Sequence, residues 1–220
     1  MTFRLFGLPV RLSLFFVLIG FLIRPAGAGS VVLTVAWLLV MFVGVLLHEL
    51  GHALTARAFG QQPGILLHGL GGLTYWMPRG EIGAGRRLLI AAAGPSVGLV
   101  LGFACLVLRL LIRAPGTLVD QVLWFAVIVN LGWGAFNLLP LLPMDGGQVL
   151  ASFLEILGLG KARRVVHGFS LGVGVIAVAV GLYARDVSWI VLGGLLAFSN
   201  YMALRPAPPP PPEPPPPPPA

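Results

Sequence analysis

Charge is what this chain has least of. Only 10% of its 220 residues are Asp, Glu, Lys or Arg, against about a quarter in an ordinary soluble domain. So little charge excludes a largely water-facing surface. With 57% hydrophobic residues and a mean hydropathy of +0.95, the chain reads as a polytopic membrane protein. The single cysteine, Cys105, excludes an internal disulfide framework, and its apolar run makes it a packing residue rather than a reactive thiol. Basic clusters are missing as well. The net charge is +7, but the arginines stand singly or in pairs between apolar runs, which argues for membrane topology and against nucleic acid. No internal repeat is visible, which weighs against a repeat-built transporter.

What is present is a series of apolar runs. Phe6–Ile23, with Arg11 snorkelling, is expected to be an uncleaved first span. A signal peptide is the alternative, because Arg4 and Arg11 precede the run and Ala26–Gly27–Ala28 follows it. Val31–Leu47 is the second span, its helical pattern running on to about Phe59 before Gly60 and Pro63–Gly64 end it. Leu88–Leu108, kinked or broken at Gly94–Pro95, is the third, and Val122–Leu142 the fourth. Val165–Tyr183 and Val187–Leu204 complete the set, with Gly172, Gly174, Gly181, Gly193 and Gly194 allowing close helix approach. Two segments differ in kind. Ile65–Met77 is apolar but glycine-rich and too short to span as a helix, so it reads as strands, a membrane-associated hairpin. Gln148–Leu157 reads as an interfacial helix with Glu155 on its polar side.

The expected fold class is therefore all-α and polytopic, with about six transmembrane helices and a short β region after the second. Residues 1–205 form one membrane domain, and 206–220 form a polyproline II tail, a candidate docking segment for a partner. With both termini cytoplasmic, Arg24, Arg109, Arg113 and Arg185 fall outside. The rest of the 14 basic residues fall inside, as the positive-inside bias requires.

The chemistry lies in the second span. His48 and His52 stand at i and i+4 of a helix, so both imidazoles project from one face and can share one zinc ion, with Glu49 beside them as general base. Among the seven acids only Glu49 and Asp145 fall in or at the edge of apolar spans, where an unpaired charge costs several kcal/mol. The second and fourth spans run in the same direction, so Asp145 arrives at the membrane face where the histidines lie. It is the natural third ligand, leaving one open position for a water. An open position indicates catalysis: a water activated at about neutral pH, with Glu49 moving its proton from nucleophile to leaving amine. Pro140 and Pro143 force irregular backbone before Asp145, and Gly146–Gly147 are expected to let the chain turn sharply after it.

His48-Glu-Leu-Gly-His52, together with Ala53–Arg57 and Gly60, resembles the site-2 protease family of intramembrane zinc metalloproteases. The run Asn137–Gly147 is similar to that family's second motif, Ala93-Gly94-Pro95 to a signature in the following span, and Gly71–Gly72 to the glycines of its membrane-inserted strand. The resemblance covers about residues 31–150, the catalytic core it implies. It implies a regulated intramembrane protease with one Zn2+ on His48, His52 and Asp145 and with Glu49 as catalytic base. Asn137, Gly71 and Gly72 would then contact substrate. It implies a transmembrane protein as substrate, unwound and paired with the Ile65–Trp76 strand, in the lipid bilayer of a prokaryotic plasma membrane with the site toward the cytoplasm. One departure stands out: the family often carries an asparagine three residues after its Gly-Pro, where this chain has Gly98, so Asn130 is a candidate substitute.

Two other classes compete. A divalent-metal transporter would use the same three ligands as a transit site, and a non-catalytic membrane-binding relative would need no base at Glu49. His68 is expected to pack or gate rather than to close the site as a fourth ligand, and His167 to lie at the membrane edge.

Overall fold

The computed structural model describes residues 1–69, 71–77 and 80–206; the proline tail from 207 onward and Arg79 lie outside the described residues. Two compact units are present, Met1–Val166 and His167 onward.

The first unit begins differently from expectation. Phe6–Ile23 is not one helix: β1 (Thr2–Leu5) and β2 (Leu8–Leu12) form an antiparallel hairpin, and only Leu14–Leu22 is helical, as α1. Phe6 and Gly7 take positive φ (52° and 79°) to make the turn, and Pro9 has no N–H to give a helix. Hydropathy alone does not separate a buried strand from a helix. Ser13 then caps α1 by accepting from the Phe15 N–H. The run still travels along α2 (Val31–Ala58), because Arg57 near the end of α2 donates to the Phe6 carbonyl at 2.7 Å and Trp37 donates to the Gly20 carbonyl at 2.9 Å. A five-residue strand and a nine-residue helix reach roughly 30 Å together, about one hydrocarbon thickness.

Gly60 ends α2, and β3 (Gln62–His68) and β4 (Gly71–Met77) follow as the expected hairpin. The sheet is larger than expected. Its order is β1-β2-β3-β4, with β2 parallel to β3, and Val10, Ile65 and Leu67 are fully buried where it meets the helices. β4 is the edge strand, and its outward backbone groups can be assigned. Pro63, opposite Trp76, has no N–H, and the Leu67 carbonyl is taken from the other side by the Ser13 N–H at 2.9 Å. The pairs Pro63–Trp76, Ile65–Thr74 and Leu67–Gly72 are thus the non-hydrogen-bonded ones of the ladder. The N–H and C=O of Gly72, Thr74 and Trp76 consequently point away from β3.

α3 (Ala84–Ile112) runs unbroken through Pro95 rather than breaking there; Gly51 of α2 lies close enough to the Ala93 carbonyl for the two helices to clasp at that level. Next comes a helix from Leu118 to Asn137, made of α4 (Leu118–Val127), a π-helical turn (Ile128–Gly132) and α5 (Trp133–Asn137). It stops at Asn137 instead of Leu142, because the residue before a proline disfavours the helical region and Pro140 and Pro143 follow. α6 (Asp145–Ile156) then starts at the acid itself. α7 (Ala162–Ala184) leads into the second unit.

There α7 folds back on α8 (Val187–Leu204), with Gly174, Gly181 and Gly193 at the close approaches, whereas Gly172 and Gly194 face open space. His167 is paired within this unit: its Nδ1–H donates to Asn200 Oδ1 at 2.8 Å, the Asn200 amide nitrogen being committed to the Leu196 carbonyl. Among the described residues, five helices are long and apolar enough to cross a membrane. The protein is an integral membrane protein, mostly helical, with a small sheet.

Candidate metal centre and active site

His48, Glu49 and His52 share a buried turn of α2, at 3%, 4% and 6% exposure. Asp145 reaches them from the first turn of α6. His48 Nε2 lies 3.0 Å and His52 Nε2 3.3 Å from Asp145 Oδ2, and the two imidazole nitrogens are 3.2 Å apart. Three donors in tetrahedral array at about 2.0–2.1 Å from one ion stand roughly 3.3–3.4 Å from each other. The tautomer agrees. His52 Nδ1 lies 2.7 Å from the Ile90 carbonyl, which can only accept, so Nδ1 carries a hydrogen and, in the neutral ring that a metal ligand must be, Nε2 turns a lone pair toward the other two donors. That lone pair and a carboxylate oxygen converging in a buried space repel unless a cation stands between them. The residues present fit one divalent ion.

Glycines clear the space. A Cβ at Gly94 would run into the His52 ring, and one at Gly72 into the Glu49 carboxylate. A Cβ at Gly71 would meet the Trp133 ring. Gly146 and Gly147 do not make a sharp turn, as the sequence suggested. They are helical, and their missing Cβ atoms let the start of α6 lie against the backbone of residues 138–142, which sets the depth of Asp145. Glu49 accepts a hydrogen bond from the Thr74 hydroxyl at 2.7 Å.

Next to these residues is a cavity of about 1060 Å³. Gly72, Thr74 and Trp76 of β4 line one side and Trp133, Phe136 and Asn137 another, so the sheet's free edge and the three donors open on the same space. Asn137 is at the wall, its amide donating to the Trp133 carbonyl at 3.1 Å. His68 also lines the cavity but stands outside the donor cluster, which contains His48, His52 and Asp145. Gly98 faces the buried His48 Nδ1, 3.8 Å from where its Cβ would be. Asn130 lies close by with an unpartnered Oδ1, yet no hydrogen bond joins it to His48.

Sequence reasoning passed over two features. Strand alternation places Thr74 with Gly72 on one face of the predicted hairpin, but nothing local shows that Glu49 lies opposite. Glu155, expected on the polar side of an interfacial helix, forms an ion pair with Arg87 that ties the start of α3 to α6 beside the cavity. Both contacts are far apart in sequence and carry no periodic signal.

The comparisons with known proteins agree with this geometry. A family model described as peptidase family M50 matches residues 111–181. A zinc metalloprotease of Methanocaldococcus jannaschii is 29% identical over 201 residues, which is 89% of this chain and 58% of that protein. Rip3 of Mycobacterium tuberculosis is 34% identical over 193 residues, 78% of this chain and 45% of that protein. The chain thus spans about half the length of these curated relatives. The solved structure of a site-2 protease from Methanocaldococcus jannaschii superposes with a TM-score of 0.64 at 25% identity, over 94% of this chain and 96% of that one. Motifs, fold and a donor triangle sized for zinc meet in one chain, which is similar to site-2 proteases over most of its length and matches peptidase family M50 over residues 111–181.

Proposed function

We propose that this protein is an intramembrane zinc metalloprotease that hydrolyses a peptide bond in or near a transmembrane segment of a membrane-protein substrate. One observation carries the reading: Glu49, the donor triangle and the free edge of β4 all border one cavity beside α2. His48, His52 and Asp145 would hold the ion, which when bound supplies Lewis-acid activation of a water and of the scissile carbonyl.

The chain's own residues do the rest. A helical substrate hides its carbonyls in its own hydrogen bonds and must unwind before attack. β4 offers the outward N–H and C=O groups of Gly72, Thr74 and Trp76, so an unwound segment can add as a fifth strand beside the donors. Glu49 takes a proton from the attacking water and returns it to the leaving amine. Asn137, which lines the same cavity, would hold the substrate backbone. The catalytic core is about residues 31–150, in a prokaryotic plasma membrane, with both termini cytoplasmic and the site toward that side. The charge bias of the loops and the archaeal and bacterial relatives support this placement.

Replacing Glu49 by Gln separates the readings. The purified variant is expected to bind zinc as the parent does and to lose cleavage of a transmembrane peptide by at least about 100-fold, the scale of a lost general base. Cleavage at the parent's rate would refute the assignment. The same inactive variant is suited to trapping substrates for identification.

A further inference from the structure

Glu49 is buried on α2, and a buried carboxylate is costly unless something donates to it. Among the described residues the donor it has is Thr74, on β4. The Thr74 hydroxyl lies 2.7 Å from Glu49 Oε2 and 3.1 Å from the Glu49 carbonyl, so its one hydrogen goes to the nearer carboxylate oxygen with the carbonyl close by. On the other side of the carboxylate, Gly72 leaves no room for a side chain. The carboxylate is therefore held between a donor and a bare backbone two residues apart on one strand. A threonine on a half-buried strand needs no functional reason to be there. Its hydroxyl, though, spans from the sheet to the carboxylate that the proposed chemistry uses as general base.

From this geometry we infer that Thr74 is the positioning residue of the general base. The inference rests on the reading of Glu49 given above and deepens it. Thr74 has two roles that face in different directions. Its side chain holds Glu49, while its backbone N–H and C=O point to the free edge where a substrate strand would add. A strand seated on β4 at Thr74 thereby fixes the residue that aims the base, so base alignment depends on the edge being occupied. A threonine-to-valine change keeps the shape and removes the donor; threonine-to-serine keeps the donor.

The experiment compares the parent, Thr74→Val, Thr74→Ser and Glu49→Gln in detergent. The first readout is infrared. Subtracting the Glu49→Gln spectrum isolates the Glu49 carboxylate band, which is expected to shift in Thr74→Val and to return in Thr74→Ser. The second is cleavage of a quenched-fluorescent peptide carrying an apolar segment of about 20 residues. Thr74→Val is expected to lower kcat by about 10- to 100-fold, the scale of a hydrogen bond to a charged group. KM and zinc content should stay near the parent's, and Thr74→Ser should recover most of kcat. An unmoved carboxylate band in Thr74→Val overturns the inference, and so does a kcat equal to the parent's. A parent that fails to cleave while the band shifts counts against the protease reading alone, because the hold of Thr74 on Glu49 is then still observed.

Discussion

Gly94→Ala tests the metal centre without replacing a proposed ligand. Gly94 sits one helical turn after Ile90, whose carbonyl holds the His52 ring at 2.7 Å, so α3 both anchors that ring and must stay clear of it. A methyl at Gly94 would overlap the His52 imidazole. The backbone cannot retreat easily, since α2 and α3 are already in close approach at Gly51 and Ala93. Overpacking of this kind costs about 1–3 kcal/mol. If the strain is relieved by swinging His52 out of the triangle, it appears as weaker zinc binding, roughly 5- to 140-fold at a factor of ten per 1.4 kcal/mol. Gly134→Ala is the comparator. It lies in the same unit, and its added Cβ would meet Leu99 at an ordinary 3.6 Å, so zinc affinity should be unchanged. The assay is zinc competition against a fluorescent chelator on detergent-purified protein, with thermal unfolding alongside. Gly94→Ala binding zinc as tightly as Gly134→Ala would refute the claim that His52 is a ligand held by α3.

Trp76→Pro removes an outward-facing N–H of β4 without costing a β3 bond, and Trp76→Leu controls for the lost ring; strand addition predicts that the proline variant cleaves at least about 10-fold more slowly than the leucine variant, and equal rates would exclude pairing at that position. A reporter fused after the last helix is expected to report a cytoplasmic C-terminus, and an outside signal would reverse the orientation drawn from the arginines.

The membrane class, the extents of α2, α3, α7 and α8 to within a few residues, and the His48–Glu49–His52 constellation were legible because each is local. Apolar runs, a glycine stop and an i, i+4 pair are written in consecutive residues. Asp145 was legible at one remove, through the rarity of acids in apolar spans and the direction of the helices. The N-terminal strands were not. Leu8–Leu12 lies in an apolar run that hydropathy reads as a helix, and pairing with β1 and β3 makes it a strand.

By itself, then, the sequence determined that this chain lives in lipid, which residues could bind a metal, and which acid stands beside them. Tertiary structure decided the donor triangle, the tautomer of His52, the four-stranded sheet with its free edge, and the hold of Thr74 on Glu49. The physical reason is distance along the chain. His48 and Asp145 are 97 residues apart and Glu49 and Thr74 are 25 apart. Whether such groups meet depends on glycines such as Gly72, Gly94 and Gly147, whose purpose is visible only once the side chain or backbone they make room for is in place. The histidine pair shows that a metal could bind, and the packed fold shows that its ligands come within about 3.3 Å of one another, as one zinc ion requires.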